Sequence, residues 1–533
     1  MQLLLTASKD TYITDKIINS TFSASDANVG MAGTLDLFRL ANESFLSGVN
    51  PTNELSRILL KFDYDQIIQQ SKAQINLNDL SSYKIELELT SIGSAHTTPI
   101  DFTTICFPLS QSFDEGIGRD VISFADIDVT NFLTASVGTG GTVAKWNMSG
   151  ANAEGVIDAT AGNGYPDNID IISSGNLNDG QGTVALGVSQ RFVKGTENLR
   201  VDVTKIVSAT IANILPDSGF RISFSGSQEQ DSVTRFVKRF ASRHHSDPLK
   251  RPKLRVSYSD TIIDNHLNFN FDISGSLFLK NYHRGQPFNI LSGSSLTAVT
   301  GTNCMLLKLE SGSFSQVVSC SQVPRGTPVP HAGGTDAISF QTGCYIAQFA
   351  VSASSDRVSI VVGADTIHDF YTNSGSIKFD EIWGSLDGSV GYYTGSLKVT
   401  KIPISSFSID PKDISLIVTN ARSSYLSTES PLVRVFVNDL ADERFATKLP
   451  IRKSSIGLEK VYYRIKDTRS GEVIIPFTKA LDATRLSQDS GGLYFKFSAA
   501  SLPRGRTYTF DFLVEDAGIE KSYPASNVIF TVK

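Results

Sequence analysis

Residues 83–90 read YKIELELT, and the two-residue beat within them decides the fold. Ile85, Leu87 and Leu89 fall on one side, Glu86 and Glu88 on the other. Side chains alternate across a strand, so this beat marks a strand with one face buried and one face wet. The same beat returns along the whole chain. It places Leu254, Val256 and Tyr258 together in PKLRVSY, and Val461, Tyr463 and Ile465 together in EKVYYRIKD. Leu493, Phe495 and Phe497 share a face in GLYFKFSA, as do Tyr508, Phe510, Phe512 and Val514 in TYTFDFLVED. Turn-forming stretches such as SGS, GTGG, NDGQG and PRG separate the runs. The fold class expected is all-β and multidomain, built from half-buried antiparallel strands.

Helical patterns are few. A short helix is expected after Phe62 in DYDQIIQQSKAQI. A better one lies in DVTKIVSATIANIL, where Asp202 or Thr204 can cap and Ile206, Val207, Ile211 and Ile214 make an apolar stripe. A length of 533 residues exceeds one ordinary core. Boundaries are expected near residues 262 and 403, giving regions 1–262, 263–402 and 403–533. The middle region is rich in Ser and Gly at its turns. The last carries six or seven strand-like runs, which suits an immunoglobulin-like or fibronectin-like sandwich.

Composition narrows the function classes. The charged fraction is 19% and the net charge −6, which suits a folded protein that is no general polyanion binder. No stretch reaches the roughly 18 apolar residues of a membrane span, so no membrane insertion is expected. The opening MQLLLTASKD lacks the basic and apolar regions of a secretory signal, so no export address is read. Cys106, Cys304, Cys320 and Cys344 form no C-x-x-C pair. Free buried thiols are the preferred reading, ahead of one disulfide among the last three and of a zinc site.

The stretch 235–260, RFVKRFASRHHSDPLKRPKLRVSYSD, holds eight Lys or Arg residues and two acids. Arg235, Lys238, Arg239, Arg243, Lys250, Arg251, Lys253 and Arg255 would track a phosphate backbone if they formed a continuous exposed patch. Lys253 and Arg255 alternate with Leu254 and Val256, however, so a solvated strand face is preferred over a protein interface or nucleic acid. His244 and His245 are read as an exposed turn, because Asp247 is the one further ligand type close in sequence.

The loop GNGYPDNIDIISSGNLNDGQG offers Asp167, Asn168, Asp170, Asn176, Asn178 and Asp179, oxygen ligands of the type calcium takes. The spacing departs from an EF-hand, and ordinary turns need the same residues, so no metal is expected. Asp114, Glu115 and Asp120 lie near Arg119 in SQSFDEGIGRD. They are read as a salt-bridged loop in preference to a glycosidase pair. No G-x-S-x-G, H-E-x-x-H or Walker A motif is present. No catalytic residue, metal ligand or cofactor is therefore assigned, the ligand-binding residues are unknown, and the chain is not expected to be an enzyme. Trp146, in VAKWNMSGAN, is the one candidate sugar platform on a loop, and Trp383 is the only other tryptophan.

Several segments together carry a resemblance. DTYITDKIINSTFSASDANVG, with Asp10, Tyr12, Ile13, Asn28 and Gly30, resembles the opening of the DNRLRE-type jelly-roll family. LDLFRL resembles its second strand. SRILLKFDYD, with Arg57, Leu59, Leu60, Phe62 and Asp63, resembles its Arg-x-Leu-Leu-x-Phe-Asp segment. DVTKIVSATIANILPDSGFRISF and RPKLRVSYSD resemble its closing parts. That family is similar to carbohydrate-binding modules, so the resemblance implies a jelly roll over about residues 8–260.

Over nearly the full length, MQLLLTASKDTYITDK, FPLSQSFDEGIGRDV, RFVKRFASRH, ILSGSSLTAVTGTNCMLL and EIWGSLDGSVGYYTGSL resemble virion structural proteins of large contractile-tailed marine phages of the cyanophage type. This implies a particle component assembled in the bacterial cytoplasm. It would be present in several symmetric copies, have other virion proteins as partners and bind no nucleic acid. A glycan-binding adhesin for a host surface is the alternative.

Overall fold

A computed structural model describes residues 1–44, 53–71, 75, 79–122, 129–138, 140–158, 168–177, 181–312, 314–325, 339–353, 361–362, 365–402, 413–440, 453–516, 518–525 and 528–533. The chain divides into two compact units. One is Leu3–Ser257; the other takes in the described residues from Tyr258 to Lys533, with Met1–Gln2. The expected regions 263–402 and 403–533 both fall within the second unit, and the boundary near 403 lies outside the described residues.

Eight strands frame the first unit: Gln2–Thr6, Asn53–Lys61, Tyr83–Leu89, Phe102–Pro108, Val188–Phe192, Leu199–Asp202, Phe220–Phe224 and Lys253–Tyr258. Counted in chain order, one sheet runs first, eighth, third, sixth. The other runs fifth, fourth, seventh, second. That order is the double Greek key of a jelly roll. Three further strands extend the second sheet, namely Lys9–Thr14, Thr34–Ala41 and Arg235–Ala241. Tyr83–Leu89 buries every second residue, with Ile85, Leu87 and Leu89 fully inside. In Lys253–Tyr258, Leu254, Val256 and Tyr258 are buried as their spacing requires, and Arg255 and Ser257 between them are covered too.

The expected helices form at Asp65–Ser71 and Thr204–Ile211. The second is preceded by Val203 at the capping position. Asp202 accepts instead from the backbone N–H and hydroxyl of Thr204, at 3.0 and 2.6 Å. Ile206 and Val207 are buried, whereas Ile211 and Ile214 are half-buried.

In the second unit, one seven-stranded sheet runs Phe269–Asn270, Gly391–Thr400, Ser376–Gly384, Met305–Ser311, Phe314–Arg325, Ser339–Ala350, Ser274–Lys280. It curls enough that Phe269 on its first strand and Leu277 on its last join one core with Leu307, Phe379 and Trp383. A Cβ on Gly275 would come within 2.6 Å of the Phe269 ring, so the two end strands approach where glycine leaves room.

Two more sheets follow. One runs Ile414–Val418, Leu432–Asp439, Gly492–Lys496, Ser487–Asp489. The other runs Ser424–Tyr425, Phe530–Val532, Thr507–Asp516, Val461–Asp467, Val473–Ile475, with Ile519–Pro524 added on Thr507–Asp516. This is the immunoglobulin order, with a short parallel pairing of Ser424–Tyr425 on Phe530–Val532. Tyr508 begins its strand and donates its hydroxyl to the Pro503 carbonyl, a tyrosine corner. Phe495, Phe497, Phe510 and Phe530 pack as offset and edge-on rings between the sheets.

The Gln488 amide ties this sandwich to the preceding segment, donating to the Asp264 carbonyl at 3.2 Å and to Asn268 Oδ1 at 2.9 Å. Among the described residues, no helix is long and apolar enough to cross a membrane.

Candidate functional site

Three elements of the jelly-roll unit bring ionisable groups together. Asp10 lies on the strand Lys9–Thr14, Glu115 in the loop after Phe102–Pro108, and Arg243 and His244 just past Arg235–Ala241. Asp10 is fully buried. Its Oδ2 accepts from the backbone N–H of Arg243 at 2.5 Å, while Oδ1 has no hydrogen-bond partner. Glu115 Oε1 accepts from the Asp10 N–H at 3.1 Å and from Arg243 Nε at 2.9 Å, and it faces His244 Nε2 at 3.3 Å. Arg243 also donates to the Ser8 carbonyl. Burial pushes the Asp10 carboxyl up to about 7; the N–H of Arg243 opposes this and the Glu115 charge adds to it. One ligand atom from each of Asp10, Glu115 and His244 lies within 4.8 Å of the others.

The loop carrying Glu115 is held by the Asn-x-Gly turn. Asn28 Oδ1 accepts from Gly30 and Gly118 N–H groups at 3.1 and 2.9 Å. Its Nδ2 donates to the carbonyls of Glu115 and Thr130 at 2.9 and 2.7 Å. A Cβ on Gly30 would sit 1.8 Å from the Glu115 carbonyl, and one on Gly118 would sit 1.8 Å from that of Asn28. The two backbones approach so closely that only glycine fits at either position. Arg57, from the Arg-x-Leu-Leu segment, is likewise spent inside: it grips Glu229 with two nitrogens and donates to the Gly150 carbonyl at 2.7 Å.

Several expectations are corrected here. His244 and His245 are half-buried, not an exposed turn, and His244 meets Glu115, a residue 129 positions away, in place of Asp247. The basic run is not a solvated strand face. Lys238 is fully buried, donating to Ser91 Oγ and the carbonyls of Gly195 and Glu197 at 2.7–2.8 Å. Burial lowers its pKa to about 8. Arg239 stands opposite Asp36 in the sheet register and pairs with it. Arg235 pairs with Asp231 at 2.6 Å. Arg255, also buried, grips both oxygens of Glu88 at 2.8 and 3.0 Å. Arg251 and Lys253 donate to the carbonyls of His245 and Leu249, and Lys250 is half-buried.

The carboxylates of SQSFDEGIGRD do not gather on Arg119, which is exposed. Asp114 accepts from the Val137 N–H at 2.9 Å and meets Lys9 at 3.5 Å, while Asp120 accepts from the Ile122 N–H. Asp170 is fully buried and accepts from the N–H groups of Asn147, Met148 and Ala153 and from the side chains of Gln111 and Asn147. It organises the surrounding loops. Asn168 is exposed, Asn176 half-buried, and Asp167, Asn178 and Asp179 lie outside the described residues.

Trp146 is buried with Leu59, Phe113 and Phe132, its indole N–H donating to the Asn131 carbonyl at 2.9 Å, so it is no sugar platform. Trp383 is buried too. Exposed aromatics appear elsewhere, where sequence reasoning had none. An open cleft of about 490 Å³ in the middle region is lined by Lys280, Asn281, Phe288, Asn289, Tyr392 and Tyr393, among others. Phe288 and Tyr393 are 42% and 49% exposed. Short strand pairs, Tyr282–His283 with Gln286–Pro287 and Leu291–Ser292 with Thr297–Ala298, carry or flank one wall; their turns masked any two-residue beat. All four cysteines are free, and Cys106, Cys320 and Cys344 are buried.

No protein-family model matches the chain, and no curated protein matches it. Among solved structures it is similar to the tandem Ig repeats of Dlar, at 9% identity and a TM-score of 0.13, over 50% of this chain and 92% of that one. It is also similar to extracellular cadherin domains 1–5 of Protocadherin Gamma B2, at 12% identity and a TM-score of 0.14, over 54% and 49% of the two chains. These scores carry no argument about function; the all-β, multidomain sandwich architecture is read from the strand orders themselves.

Proposed function

We propose that this protein is a non-enzymatic structural component of a tailed-phage virion, a multi-copy connector or peripheral neck, tail or baseplate protein. The resemblance of its segments to cyanophage-type virion proteins suggests the setting. The observation that carries the reading is how the molecule uses its polar groups. Clusters that look chemical in sequence, such as Asp170 with its ring of N–H donors and Lys238 with its three acceptors, are consumed in fixing loops and strands. Large apolar side chains meanwhile stand out on loops: Ile100, Ile117 and Ile122 are each at least 65% exposed. Apolar side chains on the surface mark a protein contact where they join into one patch, and symmetric neighbours would reuse such a surface many times. Free thiols suit assembly in a reducing cytoplasm.

Imaging of the intact particle tests this reading. Symmetric copies of the chain, each touching other virion proteins, are expected. A free-standing single copy with no protein neighbour overturns it.

The second reading, a host-glycan adhesin, is favoured by one observation: the cleft with Phe288 and Tyr393 exposed beside Asn281 and Asn289. Aromatic faces with a few polar groups are what a sugar site requires. A glycan array hit abolished by Tyr393→Ala would establish it; an array without hits would remove it.

A further inference from the structure

We propose that Asp10, Glu115 and His244 form a binding site for one divalent transition ion of the Zn²⁺ class. The proposal stands apart from the virion reading and depends only on the geometry of the jelly-roll unit. Its starting point is the orphaned oxygen. Asp10 is fully buried, yet its Oδ1 has no hydrogen-bond partner. A buried acceptor left unpaired is costly, and a cation bound beside it would remove that cost.

The neighbours supply the rest of a ligand set. Glu115 Oε1 and His244 Nε2 are 3.3 Å apart. Two ligands at Zn²⁺ bond lengths of about 2.0–2.1 Å in a tetrahedron are separated by about 3.3 Å, so this pair already spans one edge. One atom of Asp10 lies within 4.8 Å of both, and a side-chain adjustment closes the third corner. A water completes four-coordination. His244 Nε2 also accepts from Arg243 Nε at 3.3 Å, so an ion takes up that lone pair only when the arginine gives it up. A nitrogen ligand beside two carboxylates favours zinc-like ions over calcium or magnesium, which take oxygen.

Arg243 is the competing cation. Its Nε touches both Glu115 and His244, and its side chain is 30% exposed. It therefore neutralises the cluster without an ion and swings towards solvent when one enters. The sequence hid this site because its ligands come from three elements, at positions 10, 115 and 244.

The test is calorimetric titration of Zn²⁺ into chelator-treated full-length protein, paired with thermal unfolding with and without the ion. One saturating site and a raised unfolding temperature are expected. His244→Gln and Glu115→Gln should each weaken binding at least tenfold, and Arg243→Gln should tighten it. Asp10→Asn should also abolish binding; if that buried change prevents folding, the His244 and Glu115 variants carry the test. No saturable binding by the parent protein, or unchanged affinity in both of those variants, overturns the proposal. So does Ca²⁺ displacing Zn²⁺ at equal concentration.

Discussion

At Lys238 an ammonium is fully buried and satisfied by three acceptors, and it lies over the rings of Phe192 and Phe240. Removing it strands the Gly195 and Glu197 carbonyls. Lys238→Ala should cost about 2–4 kcal/mol, read from the urea midpoint of unfolding; a loss near zero would mean that water replaces the ammonium freely. His266 offers a pH-dependent counterpart in the second unit. Its ring meets Asp264 through Nδ1 and Glu381 through Nε2, the latter at 2.9 Å. Burial alone lowers its pKa, but the two carboxylates outweigh burial and raise it to about 10. Because the folded value exceeds the unfolded value of about 6.5, the stabilisation is full below that value and is lost as pH rises towards 10. The unfolding temperature of this unit should therefore fall between pH 6.5 and 10, and His266→Gln should flatten that slope. A parent profile as flat as the variant's would refute the triad's role.

Between elements, close backbone approach does more than side-chain chemistry. The Asn28 side chain joins its turn to the loop at Glu115–Gly118 through two hydrogen bonds, and two glycines without room for a Cβ bring the backbones together. Gly30→Ala should lower stability by more than about 2 kcal/mol, since backbone must shift to admit a methyl group. Equal urea midpoints for parent and variant would show that the turn adapts. In the immunoglobulin-like sandwich the tyrosine corner is more forgiving. Tyr508→Phe keeps the buried ring and loses one hydrogen bond, an expected cost of about 1 kcal/mol.

For the molecule as a whole, charge is balanced locally. Seven of the eight basic residues in 235–260 are engaged with named partners, namely Arg235, Lys238, Arg239, Arg243, Arg251, Lys253 and Arg255. With these side chains taken up, the run offers a polyanion no continuous free cationic stripe, and the net charge of −6 opposes such binding further. Purified protein should show no retention of duplex DNA at physiological salt. Tight, steeply salt-dependent binding, lost in a Lys250→Glu/Arg251→Glu variant, would show that the run faces phosphate after all.

The strand class and the inward residues were legible in sequence, because alternation is a local property of a strand. Ile85, Leu87, Leu89, Val461 and Phe510 are buried as their spacing required. Both helices were visible for the same reason. What surrounds a polar side chain was not legible. Arg255 alternates as an outward residue should, yet it is covered and gripped by Glu88, which lies 167 positions away. Trp146 sits in a loop stretch, yet that loop folds onto the sheet and buries the ring in one core with Ile13, Leu59, Phe113 and Phe132. The meeting of Asp10, Glu115 and His244 depends on three chain segments arriving at one place. Sequence reports the periodicity of each segment; which segments meet is set by strand order and loop closure, and only the tertiary structure contains those.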